Sequence, residues 1–240
     1  MIMYASCTDV GGRLYNEDCV AYKQLGDDCL CVVLADGLGG HGGGEIASKT
    51  AVDTILTGWN RPATPASLCD LIQEAHRRIL LMQTAVCRMT TTAVILSVDG
   101  DRALWAHVGD SRLYHFIDGR LDFQTRDHSA SQIAVMMGQI RPEEIRFHED
   151  RSHIFRALGQ ESGVQADAKE QELSVGRHAF LLCTDGFWEY VYEEEMAREL
   201  SAAVSPQDWL ERMRRCIDGR VGGDHDNNTA AAVWVTIQEL

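Results

Sequence analysis

The strand-like segments of this chain are clustered and joined by short turns. Runs rich in Val, Leu, Ile, Tyr or Trp occur at 2–9, 18–24, 29–35, 91–98, 102–109, 112–117, 120–125, 165–173, 178–184 and 229–237. Asp99-Gly100-Asp101 and Asp118-Gly119 each lie between two of these runs, in positions typical of hairpin turns. Because hairpins join antiparallel neighbours, the pattern predicts antiparallel sheets and not a regular alternation of parallel strands with helices.

Helical periodicity appears mostly in pairs of segments between the strand clusters. The predicted helices cover 43–59, 65–85, 130–137, 193–203 and 206–218. Ser205 and Pro206 supply a cap and a first-turn residue for the last of these. Sheets of this kind bury one face against each other, and paired helices cover the outer faces. We therefore predict an α+β fold, a four-layer α-β-β-α sandwich of two antiparallel sheets with paired helices outside.

The length and composition predict one domain. With 240 residues, 45% hydrophobic content and four prolines, the chain can build one large core, so we expect a single domain over 1–240. Its irregular region is 127–163, where a short predicted helix is followed by the charged stretch RPEEIRFHEDRSH. Since long irregular segments in a compact domain are commonly functional, we interpret 127–163 as a flap.

The charge balance limits the classes of partner. Acidic residues outnumber basic residues by 36 to 22, which gives a formal net charge of −14. Such a surface repels a phosphate backbone and an anionic membrane, so we expect neither nucleic acid nor a membrane as partner. The surplus of carboxylates is typical of a solvated acidic surface, and it also suits a site for hard divalent cations.

The cysteines and the N-terminal segment indicate the compartment. The eight cysteines form no CxxC pair and no zinc-like grouping. Cys29, Cys31 and Cys183 lie in apolar runs, where a reduced thiol behaves as a small hydrophobic group. The segment MIMYASCTDV lacks the features of a targeting signal, and no apolar run approaches the roughly 20 residues of a membrane span. We therefore expect a soluble protein of the reducing cytosol.

Acidic residues occur where apolar strands end. The segments VVLADG and FLLCTDG both run into an Asp-Gly pair, at Asp36 and Asp185, and Asp226 lies just before the last strand. If these strands lie side by side, the three carboxylates meet in one small volume, where their repulsion is costly without cations. Two divalent ions are a common means of activating water for hydrolysis, and an all-Asp ligand set favours Mn²⁺ or Mg²⁺ over Zn²⁺.

Eight stretches now carry a resemblance to a known family. In chain order they are TDVGGRLYNEDC, VLADGLGGHGGGEIAS, TTTAVILSV, AHVGDSRLY, RDHSASQIAVMMGQI, RSHIFRALG, LLCTDGFWEYV and DNNTAAAVWV. Together they resemble the PPM family, the metal-dependent type 2C protein Ser/Thr phosphatases, in their compact bacterial form. The family fold, a sandwich of two antiparallel sheets flanked by paired helices, agrees with the architecture predicted above.

The resemblance implies a set of metal ligands. Asp36 resembles the carboxylate that bridges two metal ions, and Gly37 resembles the residue that binds one of them through its carbonyl oxygen. Asp185 and Asp226 resemble the residues that complete the first metal site. The expected cofactors are two Mn²⁺ or Mg²⁺ ions per chain, with a third, weaker site at Asp127 shared with Asp185.

The resemblance also implies the reaction. Arg13 resembles the arginine that binds the substrate phosphate, for which a planar guanidinium is better suited than Lys. Glu17, with Asp18 beside it, resembles the carboxylate that holds a metal-bound water. By this likeness a hydroxide that bridges the two metals attacks phosphorus directly, and the seryl or threonyl oxygen leaves without a phosphoenzyme intermediate.

Two of these assignments keep an alternative. Asp127 either binds the third metal or caps the helix predicted at 130–137. His41 either protonates the leaving oxygen or belongs to the glycine-rich turn, with a metal-bound water as the acid. Relatives with an Asp-Gly-His sequence have a general-acid candidate directly after the metal-binding pair, whereas this chain has Leu38 there.

Two other functions compete with the phosphatase hypothesis. Ser111 in GDSR, with Asp150 and His153, allows a Gly-Asp-Ser esterase, although that hypothesis leaves the strand-end aspartates unexplained. A catalytically weak regulator that only binds phosphoproteins is the second alternative. The expected partners are phosphorylated Ser/Thr proteins and a cognate bacterial Ser/Thr kinase whose action the enzyme reverses, and the expected state is a monomer.

Overall fold

The predicted strands and helices are present with small changes at their ends. The structure, a computed structural model, describes residues 1–39 and 43–239. The strands are β1 (Ile2–Asp9), β2 (Asp18–Gln24), β3 (Cys29–Leu38), β4 (Thr90–Thr91), β5 (Ala93–Asp99), β6 (Arg102–Val108), β7 (Arg112–Ile117), β8 (Arg120–Gln124), β9 (Asp167–Glu172), β10 (Gly176–Cys183) and β11 (Asn228–Ile237). The α-helices are α1 (Gly43–Gly58), α2 (Pro65–Met82), α3 (Ala130–Met136), α4 (Asp185–Trp188), α5 (Glu193–Ala202) and α6 (Pro206–Asp218). The sequence pattern misses β4 and α4 because each is too short to show a period.

The strands form two antiparallel sheets. One sheet has the order β1-β11-β10-β7-β8, and the other has the order β2-β3-β5-β6-β9, with β4 paired to β3. Every pair of neighbours among these strands is antiparallel. The hairpin turn at Gly100 and the turn at Asp118 and Gly119 have positive φ angles, as such turns require. The predicted antiparallel pairing is thereby confirmed.

Three apolar clusters separate the layers. Strand β3 is buried on both faces: Leu30, Val32 and Leu34 pack between the sheets, while Cys31 and Val33 pack against α1 and α2. A third cluster lies on the outer face of the other sheet and includes side chains of α5 and α6. Alternation along the strands therefore produces the predicted four-layer α-β-β-α sandwich.

Helices α2 and α6 each begin after a side-chain cap that is followed by a proline. Thr64 accepts a hydrogen bond from Ser67 N (3.1 Å) before Pro65 opens α2. Ser205 accepts from Asp208 N (3.1 Å) before α6, as predicted. These side chains satisfy backbone N–H groups that the first turn of a helix leaves unpaired.

The strand ends that carry the aspartates meet from opposite sheets. Strand β3 does not stop at residue 35 but continues through Asp36 to Leu38, in one sheet. Asp185 follows β10 and Asp226 precedes β11, and these two strands are neighbours in the other sheet. The three strands therefore do not all lie side by side, and the condition stated above holds only for β10 and β11. The carboxylates therefore converge from both sheets, at the edge of the sandwich where β3 and β10 end and β11 begins.

The segment 127–163 contains α3 and a 3₁₀ helix over Pro142–Phe147. Arg146 joins this segment to α4 and α5, because its guanidinium donates to the carbonyl oxygen of Trp188 (2.7 Å) and to the Glu193 carboxylate (2.6 Å). Over 1–39 and 43–239, the structure contains no helix with the length and apolar composition needed to cross a membrane.

Candidate active site

Asp36 and Asp18 face each other on neighbouring strands. They are Cα partners in the β2–β3 ladder. Thr92 holds the backbone of Asp36, since its hydroxyl accepts from Asp36 N (2.9 Å). Thr184, which precedes α4, donates to Asp18 Oδ2 (3.0 Å), while Asp18 Oδ1 is buried without a hydrogen-bond partner among the described residues. A buried carboxylate oxygen without a donor is costly, and a cation would relieve that cost.

Asp185 and Asp226 enter the same volume from the other sheet. Asp185 is the first residue of α4, and its carboxyl group is near enough to that of Asp36 for each to shift the pKa of the other. Asp226 accepts two hydrogen bonds from Arg13, at 3.0 Å from Nε and 2.8 Å from Nη2. Arg13 must therefore release Asp226 before the same edge of its guanidinium can bind a phosphate.

Close backbone packing brings Glu17 to the site. Gly37 N donates to the carbonyl oxygen of Glu17 (3.1 Å), and Ser48 Oγ in α1 donates to the same oxygen (2.6 Å). A Cβ atom at Gly37 would lie 2.1 Å from Gly44 O, and one at Gly44 would lie 2.7 Å from the Glu17 carboxyl group. Neither position has room for a side chain, which explains two of the glycines that follow Asp36.

The electrostatics of the site oppose full ionisation. Burial, followed by the charges of Asp18, Asp185 and Asp110, raises the pKa of Asp36 well above its usual range. Burial and Asp226 raise the pKa of Asp185. Burial raises the pKa of Asp18 to about 7. Removal from water and like charge both disfavour the carboxylate form, and a bound divalent cation would reverse both effects.

The donor set fits hard divalent cations. The converging side chains offer carboxylate oxygens only, and the unpartnered Oδ1 of Asp18 lies among them. Oxygen ligands of this kind suit Mn²⁺ or Mg²⁺. The residues able to hold such ions are Asp36, Asp185 and Asp226, with Asp18 and Glu17 beside them.

The carboxylates line an open cleft of about 700 Å³. Its walls also contain Arg13, Leu14, Tyr15 and Gly37. The cleft thus combines a cation-binding acidic floor with one arginine that can bind an anion, an arrangement suited to a phosphorylated substrate.

Comparisons with known proteins identify the family. The family profile described as "Protein phosphatase 2C" matches residues 10–218. The chain belongs to the protein phosphatase 2C family. Protein phosphatase PhpP of Streptococcus pneumoniae serotype 2 is 29% identical to this phosphatase over 237 residues, 94% of each chain. The Mycobacterium tuberculosis serine/threonine phosphatase PstP/Ppp has a TM-score of 0.84 and 31% identity, covering 98% of this chain and 99% of that one. The PstP catalytic domain in complex with two manganese ions has a TM-score of 0.82 and 30% identity, with the same coverage.

These findings confirm the family and the fold class. They also confirm that the chain is a protein Ser/Thr phosphatase that depends on divalent metal. The binding-only alternative is thereby disfavoured. The role of each residue stays a prediction.

The strand-end pattern does not identify one buried acidic residue of this phosphatase. Asp110, which follows the positive-φ Gly109 after β6, is 5% exposed. Burial, then the charges of Asp185 and Asp127, raises its pKa well above the usual range. The sequence marks this position through the GDSR motif, in which Asp110 directly precedes Ser111. Asp110 belongs to the same group of carboxyls as Asp36 and Asp185.

Asp127 is engaged elsewhere. Both of its carboxylate oxygens accept from Arg112, at 2.8 and 2.7 Å, and both residues are buried. The guanidinium of Arg112 also lies 3.5 Å from the centre of the Trp188 ring. A third-metal role for Asp127 would break this pair, and the helix cap that was the alternative is supplied by Ser129. Asp127 therefore has a third role, as the partner of a buried arginine.

The esterase hypothesis is wrong. Ser111 is 1% exposed, and its hydroxyl lies 2.7 Å from that of Thr92, whose oxygen also accepts from Asp36 N. His153 pairs with Asp150 (3.2 Å) on the surface. A buried serine that helps to position Asp36 cannot serve as an accessible nucleophile. His41, the general-acid candidate, lies outside the described residues.

A second cluster of possible metal ligands lies at the β9 edge of the sheet that contains β3. Candidate ligand atoms of His107, His128 and Asp167 lie within 4.8 Å of one another. Arg156 Nη1 lies 3.2 Å from both His128 Nε2 and Asp167 Oδ1. Because that guanidinium would repel a metal ion, we interpret this cluster as structural.

Proposed function

We propose that this phosphatase hydrolyses phosphoserine and phosphothreonine in proteins by direct attack of water on phosphorus at the cleft between Asp36, Asp185 and Asp226. The observation that supports this most is the convergence of these side chains from two sheets, with raised pKa values for the first two. When bound, two divalent ions held by these residues and the Gly37 carbonyl would activate water and neutralise phosphate charge.

The chain's own groups then orient the substrate. Arg13, once released from Asp226, can bind two phosphate oxygens with the edge that now donates at 3.0 and 2.8 Å. Glu17 lines the cleft, and burial raises its pKa, so it can hold a proton from a cleft water. Fixing both reactants in line supplies a large part of the rate enhancement.

We assign the third, weaker cation site to Asp110 with Asp185 in place of Asp127. Asp110 is buried, and the charge of Asp185 is the largest contribution of a neighbouring acid to its raised pKa. Its carboxylate is not consumed by an arginine as that of Asp127 is.

The decisive experiment compares Asp185→Asn with the wild type. We expect the variant to lose at least about 10²-fold in kcat on p-nitrophenyl phosphate and on a phosphothreonine peptide with Mn²⁺, because one ligand to the activating cations is lost. EDTA should abolish wild-type turnover. The matched control is Asp101→Asn, in the exposed β5–β6 turn. Full activity of Asp185→Asn would contradict the proposed site.

The finer biological assignments stay predictions. We propose that a cognate Ser/Thr kinase phosphorylates the substrates, that the enzyme is a 26.7 kDa monomer and that it works in the cytoplasm. Light scattering during size exclusion tests the monomer. Loss of dephosphorylation of one kinase's products in a deletion strain tests the partner.

A further inference from the structure

Two large apolar side chains stand in solvent beside the carboxylates. Leu14 is 91% exposed and Tyr15 is 66% exposed. Both line the cleft that contains Asp36 and Asp226, as does Leu38. Single exposed apolar residues are common on protein surfaces. Two adjacent ones in the lining of this cleft, next to the phosphate-binding candidate Arg13, indicate a binding surface.

The backbone that carries these side chains is held in place. Asn227 Nδ2 donates to the carbonyl oxygens of Val10 (2.8 Å) and Tyr15 (3.0 Å). Gly12 N donates to His225 O (2.8 Å), and a Cβ atom at Gly12 would lie 2.3 Å from Gly223 O. Leu14 and Tyr15 are therefore exposed on a fixed support, and a fixed surface loses little entropy on binding.

We propose that Leu14 and Tyr15, together with Leu38, form a subsite for a bulky apolar side chain next to the phosphorylated residue of the substrate. This inference rests on the proposed function, because it places the phosphate at Arg13. Consecutive residues of an extended peptide are about 3.5 Å apart, so a neighbour of the phosphorylated residue reaches the positions next to Arg13. The preferred substrate is thus a phosphopeptide with an aliphatic or aromatic flanking residue.

The acidic residues of the cleft disfavour substrates with acidic residues next to the phosphorylated one. Asp224 and Glu17 line the same cleft as Leu14, and the whole chain has a formal net charge of −14. A carboxylate beside the phosphorylated residue would be repelled by these groups and would gain nothing from the apolar surface. Acidic flanking residues should therefore be the poorest.

The test uses three phosphothreonine peptides of equal length with Leu and Phe, Gly and Ser, or Asp at the two positions on either side of the phosphothreonine. We would measure kcat/KM with Mn²⁺ for the wild type and for a Leu14→Ser, Tyr15→Ser double variant. The control is Val204→Ser, since Val204 is 85% exposed between α5 and α6. The ratio of apolar to Gly/Ser peptide is the readout, because a general loss of activity cancels in it.

We expect the wild type to favour the apolar peptide by at least about tenfold, the effect of partly burying one large apolar side chain. The double variant should bring this ratio close to one. Val204→Ser should keep the wild-type ratio, and so should Tyr15→Phe, which retains the aromatic ring. Equal kcat/KM for all peptides in the wild type, or an unchanged ratio in the double variant, would overturn the subsite alone. Failure of the wild type to hydrolyse any peptide with Mn²⁺ would overturn the proposed function itself.

Discussion

At the scale of single residues, the site gathers carboxyl groups that repel one another. Asp18, Asp36, Asp110 and Asp185 all have pKa values raised by burial and by neighbouring acids. A chain selected for stability alone would have basic or apolar side chains at these positions in place of four acidic ones. The strand-end pattern predicts Asp36 and Asp185 because each follows a long apolar run. It cannot predict the pairing of Asp127 with Arg112, which is set by the course of two later strands.

Asp110 and Asp127 can be separated by experiment. Asp110→Asn should raise the Mn²⁺ concentration needed for half-maximal turnover of p-nitrophenyl phosphate, because a candidate cation ligand is lost. Asp127→Asn should instead lower the free energy of unfolding by about 3 kcal/mol, since Arg112 loses a charged partner in a buried site. Manganese titrations and urea unfolding of both variants measure these effects. A shifted manganese dependence in Asp127→Asn with unchanged stability would restore Asp127 as a ligand.

A buried histidine makes stability depend on pH. His115 is fully buried, its ring stacks 4.3 Å from Phe180, and its Nδ1 has no hydrogen-bond partner among the described residues. Burial, then the nearby His178, lowers the pKa of His115 to about 4. The folded state therefore favours the neutral ring, and this stabilisation is complete above the unfolded pKa of about 6.5 and is lost as pH falls towards 4.

We expect His115→Phe to remove up to about 3 kcal/mol of the loss in unfolding free energy between pH 7 and pH 4. The variant should be less stable than the wild type at pH 8, because His178 Nδ1 loses its 3.0 Å contact with His115 Nε2. Urea unfolding at pH 8, 7 and 4 gives both numbers. Parallel pH profiles for the two proteins would show that His115 does not titrate in this range.

At the scale of elements, segment 127–163 and the α4 region form one connected unit. Arg146, in the 3₁₀ helix, donates to Trp188 O and to Glu193, and its guanidinium lies 4.6 Å from the centre of the Tyr192 ring. Trp188 in turn donates to Asp110 O (3.0 Å). The orientation of Asp110 thus depends on the contacts of α4. Sequence patterns locate α3 from its capping residue and apolar spacing, but they contain no sign of these long-range contacts.

Arg146→Met should lower the free energy of unfolding by about 3–5 kcal/mol, because the Glu193 carboxylate and the Trp188 carbonyl lose a buried cation. Limited proteolysis with chymotrypsin should also cut segment 127–163 faster in this variant, because the segment is less firmly attached. Arg141→Met is the matched control, because Arg141 lies in the same segment with a side chain that is 71% exposed. Equal stability of the two variants would argue against Arg146 as an anchor.

At the scale of the whole molecule, the parts of the fold that depend on local chemistry are predictable from the sequence. Alternating apolar residues and glycine turns locate the strands, and Ser205 marks the start of α6. The division of strands between sheets is not local: β3 and β10 read alike, yet they lie in different sheets. Likewise, Arg13 and Asp226 are 213 positions apart, and their pairing depends on how the first and last strands meet.

The convergence of acids links metal binding to the stability of the whole fold. Raised pKa values mean that these groups stabilise the folded state in their protonated form below the unfolded pKa of about 4 and lose this contribution as pH rises. For Asp18 the loss extends through a pKa of about 7. At pH 8 without cations, the folded state therefore carries uncompensated repulsion, which bound ions would relieve.

Manganese should accordingly raise the melting temperature at pH 8 relative to EDTA by about 5–10 °C at 100 times its dissociation constant, which corresponds to about 2.7 kcal/mol for one site. Asp36→Asn should melt higher than the wild type in EDTA, because one charge leaves the repelling group, but should gain much less from manganese because a ligand is lost. Asp101→Asn should match the wild type in both buffers. Scanning calorimetry of the three proteins measures these shifts. If Asp36→Asn melted lower in EDTA yet kept the full gain from manganese, Asp36 would be a structural carboxylate and not a cation ligand.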